Sequence, residues 1–224
     1  MQTKEPQYQI QFNTLEEKGP VRLGPTAGHL YRSDPRHLGF LLARYKFCAK
    51  LLSGKSVVLE VGCGDGFGTG VILQEVAYVH GVDFDGLFVN SARELAKNEN
   101  MNCTFELLDI TEHSPQGLFD AAYSLDLIEH IPKEKENKCM ENICKVLDKN
   151  APCIIGTPNI TSRAHASQWS KEGHINLKSA ETLKGLLSEY FQNVFIFSMN
   201  DEVVHTGFYP MAHYLMALAV GVKG

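Results

Sequence analysis

The residues of this chain that can do chemistry gather in a few short stretches, and the densest is Glu60-Val61-Gly62-Cys63-Gly64-Asp65-Gly66. Alternate glycines after an apolar run permit a sharp turn and let a ligand approach the backbone with no Cβ in the way. Such a turn suits a cofactor, and its register decides which one. The dinucleotide fingerprint is G-x-G-x-x-G/A. Counted from Gly62, Gly64 and Gly66, the sixth position is Phe67, Thr69 and Val71, so no register fits and a dehydrogenase is disfavoured. The P-loop pattern G-x-x-x-x-G-K-S/T is also absent. A second acid, Asp83, closes Gly81-Val82-Asp83 about 20 residues beyond Gly62, the spacing of a ribose ligand. Further acids follow at the ends of two later apolar runs, Leu108-Asp109-Ile110 and Tyr123-Ser124-Leu125-Asp126.

The elements that must position these groups alternate. Leu38, Leu41, Leu42, Tyr45, Cys48 and Leu52 recur at helical spacing, which predicts a helix over 35–52. Strands are expected over 56–61, 76–82, 103–108, 120–125, 153–156 and 193–199. Helices are expected over 69–74, 85–98, 132–147 and 179–190. Strands separated by helices imply parallel βαβ units with helices on both sheet faces. Between Met199 and Ala212 there is no room for a crossover helix, so the last apolar run should pair antiparallel with the sixth strand. The expected fold is therefore α/β and Rossmann-like, a mostly parallel seven-stranded sheet with an antiparallel last strand. Residues 1–54 read as an N-terminal lid segment and helix, and 55–224 as the sheet-bearing part of a single domain. Every stretch named above falls at a strand C-terminus, where open α/β sheets bind ligands.

From Glu60 to Gly66 the chain resembles motif I of class I methyltransferases, E/D-x-G-x-G-x-G, and the other stretches match that family in order. The resemblance spans about residues 55–200 and implies S-adenosylmethionine as cofactor. It implies Glu60 toward the ammonium group, with Gly62, Cys63 and Gly64 along the amino acid. Asp83 would bind the ribose hydroxyls and Phe84 would lie against the adenine. Asp109 and Ile110 would sit near the adenine amino group, and Leu125 would offer backbone beside the donor. The ending Leu127-Ile128-Glu129-His130 resembles ubiquinone-type O-methyltransferases. Thr157-Pro158-Asn159 and His174-Ile175-Asn176 are similar to methyltransferases of bacterial glycan and secondary-metabolite pathways. The Asn/Asp-Pro-Pro-aromatic tetrapeptide of many base-modifying enzymes is absent. The implied activity is methyl transfer to an oxygen or nitrogen of a sugar-type or secondary metabolite. The alternatives are a ubiquinone-type phenol O-methyltransferase and a non-catalytic regulatory subunit that binds the cofactor.

Residues 157–178 form a long connection without periodicity, as functional lids do, and carry Arg163, His165, Trp169 and His174. The turn after the sixth strand carries His205, and the N-terminal segment offers Tyr31. Tyr31, Trp169 and His205 are the expected acceptor contacts. His174 is the expected base, with His130 next, because imidazole titrates near pH 7. Some ubiquinone-type relatives bind a divalent ion near Asp126, Glu129 and His130. Here the ligand spacing is loose, and these residues are expected to line the pocket or cap a turn with no metal.

With 224 residues, 44% hydrophobic and 21% charged, the chain can bury an ordinary globular core. A net charge of −5 without a Lys/Arg run points away from nucleic acid and toward a small-molecule acceptor. None of the six cysteines forms a C-x-x-C pair, so reduced thiols are expected. The polar start has no apolar signal core, and the most apolar stretch, Tyr214–Val222, is far short of the ~20 residues a membrane span needs. A cytoplasmic location is the resulting expectation.

Overall fold

Alternation of side chains along a strand lets one sheet serve two cores. In the computed structural model, which describes residues 2–223, this happens across the middle of the sheet. The helices are α1 (Gln9–Lys18), α2 (Pro25–Ser33), α3 (Arg36–Leu51), α4 (Thr69–Ile72), α5 (Gly86–Glu99), α6 (Glu136–Cys144), α7 (Gln168–Gly173) and α8 (Ala180–Tyr190). The strands are β1 (Val58–Val61), β2 (Val79–Asp83), β3 (Cys103–Leu107), β4 (Ala121–Leu125), β5 (Cys153–Pro158), β6 (Phe191–Asn200), β7 (Val203–His205) and β8 (Tyr214–Val222). Their order across the sheet is β3-β2-β1-β4-β5-β8-β6-β7. Strands β1 to β5 pair in parallel, and β8 runs antiparallel between β5 and β6.

The reversed last strand is as expected. An eighth strand is added, because β7 turns back on β6 through Ser198–His205, Met199–Val204 and Asn200–Val203. Three residues at a sheet edge are too few to display a period-two pattern. The expected helix over 132–147 begins as a tight turn at Lys133–Lys135 before α6 proper.

One face of the sheet presents Leu59, Val61 and Ala122 to Met140 and Ile143 of α6 and Leu183 and Leu187 of α8. The other presents Val58, Ala121 and Tyr123 to Tyr45, Cys48 and Leu52 of the α3 segment and Ile72 of α4. Beside them α5 packs Val89 and Ala92 on Phe105 of β3. Helix α3 is thus part of the core and more than a cover.

The polar residues ahead of α3, expected as a lid segment, also form helices. Helix α1 has no buried residue, so no apolar stripe announces it. Helix α2 has Pro25 at its first position, a favourable start because proline lacks the N–H that a first turn leaves unpaired. Among the described residues, no helix is long and apolar enough to cross a membrane.

Candidate active site

The glycine turn leaves β1 with positive φ at Gly62 (79°), Gly64 (52°) and Gly66 (72°), a conformation that side chains disfavour. Gly62 and Cys63 donate their N–H groups to the Val82 carbonyl at 2.9 and 3.1 Å. Asp83, at the end of β2, accepts from Gly64 N at 2.9 Å and from Asp85 N at 3.0 Å, so it ties the turn to the neighbouring strand. Beside it lies an apolar slot of about 230 Å³ lined by Phe84, Leu108, Asp109, Ile110, Leu127 and Ile131. Asp109 Oδ1 accepts from the backbone and hydroxyl of Thr111 at 2.8 and 2.7 Å. Phe84 is 71% exposed at the slot, an aromatic face left for a ligand to cover.

The slot shares Gly62, Asp83, Phe84, Leu127 and His130 with a larger cleft of about 660 Å³. That cleft runs over the glycine turn, Cys63 and Leu125, and toward α2, α3 and α7. Its lining includes the polar residues His37, Arg44, Asp126, His130, Ser170 and His174. Asp126 follows β4 in a left-handed conformation (φ 54°), which strains a non-glycine residue. Its two carboxylate oxygens accept from Arg44 Nη1 at 2.9 and 2.8 Å. The Arg44 guanidinium lies 3.7 Å from the centre of the Tyr214 ring, a cation–π contact beneath the pair. Burial disfavours the Arg44 charge, but Asp126, Tyr214 and Glu129 together outweigh it and raise the guanidinium above its ordinary value.

Glu129 is fully buried, accepts from Thr157 Oγ1 at 2.9 Å, and has its Oε1 unpartnered. Burial and the nearby Asp126 push its carboxyl up to about 8. His130 Nδ1 donates to the Gly173 carbonyl at 3.0 Å, which leaves Nε2 of the neutral ring as an acceptor. His174 meets His130 edge-on, with ring centres 5.0 Å apart. Burial and His130 hold His174 below the usual imidazole range, so it is neutral near pH 7. Ligand atoms of Glu129, His130 and His174 lie within 4.8 Å of one another, close enough to share a divalent ion.

A buried network holds this corner. Asn176 donates its backbone N–H to the Glu129 carbonyl at 2.9 Å and its amide to the Ile131 carbonyl and Glu136 at 3.0 and 2.8 Å. Lys178 bonds both Glu136 and Asn176. The end of the 157–178 connection is thereby fixed against the chain that carries Glu129 and His130.

Of the sequence-predicted residues, Gly62, Cys63, Gly64, Asp83, Phe84, Asp109, Ile110, Leu125, His130 and His174 line the slot or the cleft. Glu60 does not. It is 1% exposed beneath the turn and accepts from Thr69 Oγ1 at 2.6 Å, and burial pushes its carboxyl up to about 7. It supports the turn from behind and leaves the ammonium expectation without a carboxylate in the cleft at that position.

Tyr31, Trp169 and His205 also lie outside the lining. On α2 the cleft-facing positions are Thr26 and Leu30, one helical turn apart, and Tyr31 is rotated away from them at 61% exposure. Trp169 is 83% exposed, while its neighbour Ser170 faces the cleft. His205 spends both ring nitrogens inside its own hairpin, on Asn200 and Gly207, each at 2.9 Å. Sequence reasoning missed Arg44 and Asp65. Arg44 sits on the buried stripe of a predicted helix, where a cation needs a partner; that was the available signal.

Residues 58–150 match the family model for a methyltransferase domain. Similar proteins include the phosphoethanolamine N-methyltransferase of Plasmodium falciparum (isolate 3D7), 35% identical over 46% of this chain and 40% of that protein. The ubiquinone biosynthesis O-methyltransferase of Rickettsia akari (strain Hartford) is 25% identical over 62% of this chain and 55% of that protein. The chain thus spans about half the length of the curated relatives it matches. Among solved structures, N-methyltransferase NodS from Bradyrhizobium japonicum WM9 with S-adenosyl-L-homocysteine has the same fold, with a TM-score of 0.63. It is 17% identical, over 94% of this chain and 97% of that one. The plantazolicin methyltransferase BpumL with the same ligand reaches 0.66 at 15% identity, over 97% and 100%. The match over residues 58–150 makes this part of the chain similar to methyltransferase domains, and the solved methyltransferases share its fold.

Proposed function

We propose that this chain binds S-adenosylmethionine in the strand-end cleft and transfers its methyl group to an oxygen or nitrogen of a small polar acceptor of the sugar or secondary-metabolite type. The observation that carries the reading is the polar share of the cleft lining, His37, Arg44, Asp126, His130, Ser170 and His174. A phenol with a long hydrocarbon tail would desolvate these groups without pairing them, which is costly. Hydroxyls and amines of a polar acceptor pair with them instead.

When bound, the cofactor supplies an electrophilic methyl group. The chain's own work is to place the acceptor in line, about 3 Å from that methyl, and to remove a proton. Its backbone at Gly62 to Gly64, with Asp83 and the slot, orients the donor. His174, neutral near pH 7, takes the acceptor's proton, and His130 Nε2 is the second choice. Asp126, held by Arg44, orients the acceptor by accepting a hydrogen bond from it.

Transfer of labelled methyl from S-adenosylmethionine tests the reading, with amino sugars, phosphoethanolamine and a polyprenyl catechol as acceptors. Labelling of polar acceptors is expected. Labelling of the catechol alone would favour the ubiquinone-type reading, and cofactor binding with no acceptor labelled would favour a regulatory subunit. The same assay in EDTA should proceed undiminished. Loss restored by magnesium would instead assign an ion to Glu129, His130 and His174.

A further inference from the structure

We propose that Asp65, set between the glycines of the cofactor turn, clasps helix α2 onto that turn, so that docking of the helix and binding of the cofactor are one linked event. The inference rests on the cofactor reading above. Helix α2 begins at Gly24, which has no side chain to cap the free N–H groups of the first turn. The missing acceptor comes from far along the chain. Asp65 Oδ2 accepts from Thr26 N at 2.9 Å and Ala27 N at 3.1 Å, 39 and 38 residues away in sequence. The other oxygen accepts from Phe67 N at 3.3 Å within the turn, so one carboxylate serves both parts. It is 5% exposed, and Ala27 beneath it is fully buried.

Gly24 adds an independent sign. Its φ of −69° is open to any residue, yet a Cβ there would stand 2.5 Å from both Cβ and Oδ2 of Asp65. The close approach of helix to turn, and not backbone conformation, requires glycine at this position.

The clasp has a consequence for the ligand. Thr26 and Leu30 of α2 form one wall of the cleft, and Gly62, Gly64 and Asp83 form another. A cofactor that fills the space between them favours the docked helix, and by reciprocity the docked helix favours the cofactor. Asp65 is therefore a positioning residue that acts through α2, and an undocked helix lowers the apparent affinity by the fraction that remains docked.

The test is calorimetry with S-adenosylhomocysteine together with amide exchange over residues 25–33, on folded variants of matched circular dichroism. Gly24 lies outside the cleft lining, so Gly24→Ala disturbs the clasp without touching the ligand. A cap of this kind shifts an equilibrium by roughly two- to thirtyfold. Gly24→Ala and Asp65→Ala should each weaken binding about tenfold, and Asp65→Asn, which keeps one of the two accepting oxygens, should weaken it less than Asp65→Ala. The ligand should slow exchange in 25–33 in the native chain and do so much less in Gly24→Ala. Native affinity in Gly24→Ala would overturn the clasp, even with Asp65→Ala impaired, since Asp65 would then touch the ligand directly. Exchange unchanged by the ligand would overturn it as well. Failure of the native chain to bind would instead remove the cofactor reading, and the clasp with it.

Discussion

The two halves of the cleft are built in different ways. The cofactor half is made by backbone and strand ends. Gly62, Gly64, Asp83 and Asp109 each lie within a few residues of a parallel strand's C-terminus, and Asp83 bonds the turn next to it at 2.9 Å. The acceptor half is made by side chains from separate segments. Arg44 comes from α3 to meet Asp126, 82 residues on, and His174 is brought to His130 by the network around Asn176 and Lys178. The sheet sets most of the first half, with Thr26 and Leu30 of α2 as a facing wall. The second exists only when distant segments pack correctly.

This contrast predicts where damage should appear. In the acceptor half, His174→Ala should cut the single-turnover methyl-transfer rate by about 10²–10⁴-fold and leave homocysteine-product affinity unchanged. A loss below about tenfold would pass the role of base to His130. In the cofactor half, Asp83→Ala should weaken S-adenosylhomocysteine binding by about 1.5–3 kcal/mol, roughly 10- to 150-fold, read by calorimetry. An Asp83→Ala variant that binds normally but transfers slowly would erase the distinction between the halves.

The smallest effect concerns Glu60, which the structure puts beneath the turn and outside the cleft. Glu60→Gln should leave product affinity within about threefold, because only packing and the Thr69 hydrogen bond are altered. It should change the pH dependence of stability. Burial lifts the folded carboxyl from 4.5 to about 7, so the folded state holds the proton more tightly than the unfolded one. That contribution is complete below the unfolded value and is lost as pH rises through the folded one. Between pH 5 and 8 the native chain should therefore lose roughly 1–3 kcal/mol more than Glu60→Gln in urea titrations. Parallel curves for the two proteins would show that Glu60 is not protonated in the fold.

The lining of the proposed cofactor half is largely legible in the sequence. Alternating strands and helices, the glycine register and the position of Asp83 are local patterns, and local patterns specify where strand ends meet a ligand. The acceptor half was legible only as proximity. Trp169 lies in α7 and His205 ends the edge strand β7, but which way each points depends on packing, and neither lines the cleft. Helices α1 and α2 escaped notice because one lacks a buried face and the other takes its cap from Asp65 across the fold. Strand β7 is too short to carry a pattern. Arg44 belonged to a correctly expected helix, but its pairing with Asp126 is a long-range fact that no spacing encodes.

The most direct test of the whole account is a crystal structure of the chain with S-adenosylhomocysteine. The adenine should fill the slot beside Phe84 and Ile110, with the ribose on Asp83 and the sulfur turned toward Asp126 and His130. A ligand seated elsewhere, or an adenine outside that slot with the sulfur turned away from Asp126, would contradict it.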